Sequence, residues 1–270
     1  MPKILLFIPM YNCEKQILRV LGQLNKEVCG FLTEVMIVNN RSTDNGETAV
    51  INYLTQHPMD IPVSLLRNHE NYGLGGSHKT AFRYAVKNNF DYILVLHGDD
   101  QGDISNMLPY LRNREYMRYD CFLGARFMKG SRLEGYSRLR TFGNYVYDLL
   151  FSIGTGQRIY DLGSGLNMYR VDMLRKPFYR KYRDDLMFNY CMILGSCYYG
   201  HRIRFFPILW REDDQVSNVK MARQAVTVLR LLASYMRNKK KFVTTEHRDK
   251  IIHSYTAQRI YAEGRQQEQA

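Results

Sequence analysis

Acidic residues are in short supply. Asp and Glu number 26 against 38 Lys and Arg, so the 270-residue chain carries a formal charge of +12 and requires an anionic partner. Cysteines are few, odd in number and never spaced as Cys-x-x-Cys: Cys13, Cys29, Cys121, Cys191 and Cys197 predict reduced core thiols in a cytosolic protein. No apolar run approaches the ~18 residues needed to cross a bilayer, and no cationic stretch precedes the first apolar run, so neither a membrane span nor export is expected. Pro/Gly/Ser-rich linkers and internal repeats are absent, and only the tail from Glu263 to Ala270 is a polar tract. With 45% hydrophobic content, one core is expected over residues 1–220, followed by a C-terminal extension over 221–270. No nucleic-acid module is present, and the aromatics are not interleaved with basic residues as stacking platforms. That leaves small anionic ligands and anionic lipids as partners for the positive charge.

The first hundred residues repeat one pattern of apolar run, polar loop and helical period. Ile4 to Pro9 reads as a buried strand, and Asn12 is placed to cap a helix whose Ile17, Leu18, Leu21 and Leu24 share a face. Val35–Val38, Val63–Leu66 and Tyr92–Leu96 read as further strands, separated by helices near Glu47–Gln56 and Gly76–Asn88. Alternation at this spacing predicts an α/β fold with a doubly wound, mostly parallel sheet.

Tyr92–Leu96 runs into His97-Gly98-Asp99-Asp100-Gln101, which delivers hard oxygen ligands to the carboxyl edge of a sheet, where open α/β folds bind ligands. The cluster Asn71-Tyr72-Gly73-Leu74-Gly75-Gly76 reads as a loop over which backbone could approach a phosphate. It is neither a dinucleotide fingerprint nor a P-loop, since His78 stands where each needs glycine.

In order, Ile8-Pro9-Met10-Tyr11-Asn12-Cys13-Glu14, Ile37 to Asp44, Asn71 to Gly76, His97 to Gln101, Gly124-Ala125-Arg126-Phe127 and Asp161-Leu162-Gly163-Ser164-Gly165 resemble the family 2 glycosyltransferases of GT-A fold. The branch most similar contains dolichyl-phosphate mannosyltransferase and bacterial polyprenyl-phosphate glycosyltransferases, and the resemblance spans roughly residues 3–220. It implies that Pro9, Tyr11, Asn12, Glu14, Asn39, Gly73, Gly75, Lys79, Gly98 and Asp99 bind a nucleotide-diphosphate sugar. It also implies that His97, Asp99 and Gln101 hold a divalent metal, Mn²⁺ or Mg²⁺, with histidine replacing the family's first aspartate. Asn39-Asn40 stands where the family carries an acidic pair that reads base and ribose.

For the second half, the resemblance implies that Arg126 faces phosphate and that Arg138 or Arg140 joins it in holding the acceptor, because a guanidinium fork matches phosphate oxygens. Arg211, Ser217 and Lys220 fall in the place of a further phosphate-binding loop. Asp184-Asp185 reads as a helix start, where the dipole favours carboxylates, or as the place of a catalytic base, with Asp185 the candidate. Gly130 to Gly135 reads as a mobile loop. The segment from about Val219 to Lys241 reads as one amphipathic helix, with Lys220, Arg223, Arg230 and Arg237 opposite Ala225, Val226, Leu229, Leu232, Ala233 and Met236. The resemblance implies an inverting, metal-assisted glycosyltransferase acting on a polyprenyl phosphate or other lipid-linked acceptor, held on anionic lipid at the inner face of the plasma membrane. A hydroxyl acceptor in cell-surface polysaccharide synthesis and a catalytically silent nucleotide-binding subunit stand as alternatives.

Overall fold

The segment Ile4–Met10 (β1) is buried at every position because it lies inside a sheet covered on both faces, which is what a continuous apolar run requires. The computed structural model describes residues 1–212 and 221–263, with side chains described from residue 225 onward in the second stretch. The other strands are β2 (Glu34–Asn39), β3 (Val63–Asn68), β4 (Tyr92–Leu96), β5 (Cys121–Ala125), β6 (Arg132–Glu134), β7 (Leu166–Arg170), β8 (Ile203–Pro207), β9 (Leu209–Arg211) and β10 (Ala257–Glu263). Helices are α1 (Glu14–Gly22), α2 (Lys26–Cys29), α3 (Gly46–Gln56), α4 (Gly73–Lys87), α5 (Leu108–Asn113), α6 (Arg138–Thr155), α7 (Val171–Leu174), α8 (Phe188–Tyr198), α9 (Met221–Arg237) and α10 (Lys239–Thr244).

An eight-stranded sheet runs in the order β10-β3-β2-β1-β4-β7-β5-β8. β3, β2, β1 and β4 are mutually parallel; β7 is antiparallel between β4 and β5, and β8 is parallel to β5. The expected α/β, mostly parallel sheet is therefore present, with helices on both faces. One core cluster holds Phe7, Phe82 and Phe188 and the other Ile8, Val35 and Val50. The chain winds outward from β1 to β3 and then returns to β4 on the other side. This reversal between β1 and β4 opens the crevice that open α/β sheets use for ligands.

Several local expectations are corrected by packing. The residues after 220 return to the same sheet, where β10 pairs antiparallel with the edge strand β3. The stretch between Gly130 and Gly135 contains β6, paired with β9. The basic amphipathic segment is two helices, because the Asn238 side chain caps a new helix by accepting from Lys241 N. Within α9 the buried side chains are Val228, Leu231, Leu232 and Tyr235, whereas Val226, Leu229 and Met236 of the expected apolar face are exposed. The Lys220 position lies outside the described residues, as does the Arg223 side chain. Asn12 does not cap α1, whose cap position is Cys13, without a side-chain hydrogen bond.

Helix α4 begins at Gly73, earlier than expected, so the glycine cluster is largely its first turn. Gly73 has φ +70°, and a Cβ there would sit 2.2 Å from the carbonyl oxygen of Asp184. Gly75 N donates to that same oxygen, at 2.8 Å. Gly73→Ala is expected to destabilise the fold by more than about 2 kcal/mol, since strain and a backbone clash add, and urea unfolding would measure it.

Candidate active site

Three loops at the carboxyl edge build the site. The loop after β1 is knitted to the loop after β2: Asn12 N donates to Ser42 Oγ at 3.1 Å, Thr43 N donates to Asn12 Oδ1 at 2.8 Å, and Glu14 N donates to Asp44 Oδ2 at 2.9 Å. Tyr11 stands out of this loop, 49% exposed, so its ring is free to meet a planar ligand. Pro9 is the penultimate residue of β1, and its carbonyl accepts from Gly98 N at 3.0 Å, which sews the acidic turn to the end of that strand.

Asn39 and Asn40 are buried and bonded within the protein. Asn39 Nδ2 donates to Glu47 Oε2 at 2.8 Å, and Asn39 Oδ1 accepts from Ser42 N at 2.8 Å. Asn40 donates to Asn71 Oδ1 and accepts from Asn68 Nδ2 and Tyr72 N. Both amides therefore brace the loops after β2 and β3. Glu47 in turn is held below the usual carboxylate range by the Arg67 guanidinium.

In the acidic turn, Asp100 adopts φ +58° and is taken up by Arg19 Nε at 2.5 Å and Gln23 Nε2 at 2.9 Å. Asp99 instead keeps a 29% exposed side chain, with Oδ1 accepting from Gln101 N at 3.2 Å. Its Oδ2 lies 4.0 Å from His97 Nδ1. Burial, with Asp100 adding to it, pushes the Asp99 carboxyl up to about 6. Burial and then the Arg126 charge lower the His97 imidazole to about 4, so it is neutral at neutral pH. A gap of 4.0 Å is one that a single cation at roughly 2.0–2.2 Å from each ligand can bridge. No three His, Cys, Asp or Glu side chains converge among the described residues. Gln101 contributes its backbone, the carbonyl accepting from Arg211 N at 2.9 Å.

Arg126 follows β5 and is nearly buried. Its N, Nε and Nη2 donate to Asp161, each at 2.8 Å, while Nη1 has no hydrogen-bond partner among the described residues. Phe127 and Trp210 rings each lie 4.9 Å from its guanidinium carbon, and Tyr136 lies at 5.9 Å. Arg140 also lies over the Tyr136 ring, at 4.6 Å, and is clamped by both Glu212 oxygens at 2.7 Å. Arg138 is exposed and has no ion-pair partner among the described residues. Ser217 and Lys220 lie outside the described residues. The walls of this pocket, Tyr136, Trp210 and Asp161 as counter-ion, had no assigned role in the sequence reading. The available signal was an acid set among Ile159, Tyr160 and Leu162.

Lys79 does not reach the crevice. Its Nζ is buried, donating to Asp184 Oδ1 at 2.7 Å, Tyr182 O at 2.5 Å and Tyr255 Oη at 3.3 Å. Burial lowers it to about 8, partly offset by Asp184. Gly75 is likewise occupied, since a Cβ there would come 2.5 Å from Arg183 O and 2.7 Å from Phe188 Cβ. Gly73, Gly75 and Lys79 are thus packed against the 182–188 segment, because α4 starts at the first of these glycines rather than after them. Gly98 N is also committed, to Pro9 O. Asp185 remains exposed, paired with Arg183 Nη2 at 2.7 Å and accepting from Met187 N at 2.9 Å.

The family model described as Glycosyl transferase family 2 matches residues 6–178. The chain belongs to glycosyl transferase family 2. Within that family it is similar to an undecaprenyl-phosphate mannosyltransferase of Micrococcus luteus, 27% identical over 175 residues, covering 64% of this chain and 68% of the relative. Among solved structures it resembles a glucosyl-3-phosphoglycerate synthase from Mycobacterium tuberculosis in complex with Mn²⁺, UDP and glucosyl-3-phosphoglycerate. That likeness has a TM-score of 0.57 at 12% identity, covering 87% of this chain and 80% of that one. It also resembles S. aureus TarS 1–349 in complex with UDP-GlcNAc, with a TM-score of 0.57 at 18% identity over 87% of this chain and 67% of that one. These two likenesses show the GT-A type of fold, and family membership makes this family 2 chain a glycosyltransferase.

Proposed function

We propose that the chain is an inverting glycosyltransferase that moves a sugar from a nucleoside diphosphate to a polyprenyl phosphate at the inner face of the plasma membrane. The observation that carries this reading is that the turn bearing His97 and Asp99 meets the Arg126 pocket at β9: Gln101 O accepts from Arg211 N at 2.9 Å, and the neighbouring Trp210 ring lies 4.9 Å from the Arg126 guanidinium. The likeness to an undecaprenyl-phosphate mannosyltransferase supports the choice of acceptor. His97 and Asp99 would hold a divalent cation, which supplies positive charge to the departing diphosphate. Tyr11 offers a stacking face to the base, and the knitted loops after β1 and β2 hold it in place. Arg126 Nη1 is a donor for the acceptor phosphate, fixed in direction by the bidentate grip of Asp161. The acceptor oxygen forms its bond to the anomeric carbon as the bond from that carbon to the β-phosphate oxygen breaks. Because a phosphate oxygen is already anionic at neutral pH, no base has to take a proton. No helix among the described residues is long and apolar enough to cross a membrane, so the reading requires attachment at the surface.

The direct test is transfer of labelled sugar from a nucleoside diphosphate sugar into organic-extractable polyprenyl phosphate. Asp185→Asn is expected to keep activity within about threefold, since general base catalysis, worth roughly 10²–10⁴, is not called on. A loss of a hundredfold or more would transfer the reading to a hydroxyl acceptor with Asp185 as base. Absence of any transfer or donor hydrolysis, with nucleotide still bound, would leave the silent subunit.

A further inference from the structure

Helix α6 carries its large apolar side chains on the outside. Leu139, Phe142, Val146, Leu149 and Ile153 recur at steps of three and four, which places them on one side of a helix. That side faces solvent, with Leu139 71%, Phe142 66% and Ile153 65% exposed. Only Asp148, Phe151 and Gly154 of its 18 residues are buried. Single exposed apolar residues are ordinary, but a continuous stripe along about four turns marks an interaction surface.

The stripe does not end with α6. A Cβ on Gly154 would lie 2.8 Å from Leu232 Cδ1 and 3.2 Å from Met236 Cγ, so α9 packs directly beside it. The exposed Val226, Leu229 and Met236 of α9 extend the apolar face.

Charge selects the occupant. No Asp or Glu occurs from Met221 to Thr245, and Asp148, the one acid in α6, is buried. Arg230 and Arg237 border the α9 stripe, Lys239-Lys240-Lys241 follow it, and Arg138 opens α6. An apolar face rimmed by cations and free of exposed acids matches a bilayer interface with anionic headgroups. The face also leads to the site: exposed Tyr145 packs on Phe127 with ring centroids 5.7 Å apart, and Phe127 lies under the Arg126 guanidinium at 4.9 Å.

We propose that α6 and the exposed side of α9 form a membrane-docking face whose apolar side chains enter the interface of an anionic bilayer. Docking in this way holds Arg126 at headgroup depth, where a phosphate carried by a lipid reaches it. That consequence rests on the proposed function; the docking itself does not.

The test compares sedimentation of the full chain with phosphatidylcholine vesicles and with equimolar phosphatidylcholine–phosphatidylglycerol vesicles. The chain should bind the anionic vesicles, less so as salt is added. The triple variant Phe142→Ser, Leu149→Ser, Ile153→Ser should lose at least about tenfold in partitioning while its melting temperature and nucleotide affinity stay unchanged, because these side chains are already in water. Replacing Lys239, Lys240 and Lys241 by Gln should weaken binding to anionic vesicles only. Binding that survives the triple variant overturns the proposal. So does a wild-type dimer that the triple variant converts to monomer, since a second copy then covers the face. Docking through α6 without transfer to polyprenyl phosphate in the same vesicles would sink the acceptor assignment and leave the docking face standing. Transfer in detergent by a chain that docks on no vesicle would do the reverse.

Discussion

Asp99→Asn is expected to abolish transfer and, at the same time, to make the protein more stable. The carboxyl is pushed up to about 6 in the fold from an ordinary value of 3.8, chiefly by burial. The folded state thus binds this proton more tightly than the unfolded one. The resulting penalty is fully present above pH 6 and fades as pH falls towards 4. Removing the charge should therefore raise the unfolding free energy at pH 7.5 by about 1–3 kcal/mol, with the gain gone near pH 4. Urea titrations at the two pH values measure it. A site that holds a destabilising charge is one where charge is used, and losing the oxygen that would neutralise the diphosphate should cost about a thousandfold or more in kcat/KM. If the variant loses neither transfer nor metal-dependent nucleotide affinity, Asp99 is not the ligand.

Arg126→Ala should be the most damaging single change to the fold in this half of the chain. Its partner Asp161 is 1% exposed, and removing the arginine would leave a buried carboxylate without its counter-ion. Breaking such a pair typically costs about 3–5 kcal/mol. Asp148 is another buried carboxyl, held above its usual range by burial and by the Asp161 charge, and would add to the strain. Loss of transfer in Arg126→Ala alone would therefore say little about phosphate. The double variant Arg126→Met, Asp161→Asn removes both charges and keeps one amide oxygen as acceptor for either Gly163 N or the backbone N–H of residue 126, which donate to separate carboxylate oxygens in the wild type. It is expected to regain most of the stability while transfer to a phosphate acceptor stays lost. Recovery of both would mean that Arg126 serves the fold only.

Arg126 also illustrates how far sequence carries a site. The arginine was legible as a residue after a strand, and the acidic turn was legible because a buried apolar strand has to end before a charged one begins. What the guanidinium touches was not legible, since Asp161, Tyr136 and Trp210 come from separate segments brought together only by the β5, β6 and β9 neighbourhood. Asn39 and Lys79 show the same limit: their internal partners Glu47 and Tyr255 stand 8 and 176 residues away and cannot be read from spacing.

The sequence by itself determined the family, the alternation of strands and helices, and the order of loops along the carboxyl edge. These depend on local hydrophobic period and on short motifs, which are properties of contiguous residues. Tertiary structure alone decided three matters. It added β10 to the sheet edge, because a strand of mixed polarity declares itself only when it pairs. It broke the basic amphipathic segment at Asn238 and turned Val228, Leu231 and Tyr235 inward, because the buried side of a helix is set by what it packs on. And it left the apolar stripe of α6 facing water, which no periodicity could reveal, since a helix shows the same stripe whether the surface it meets is its own core or another body.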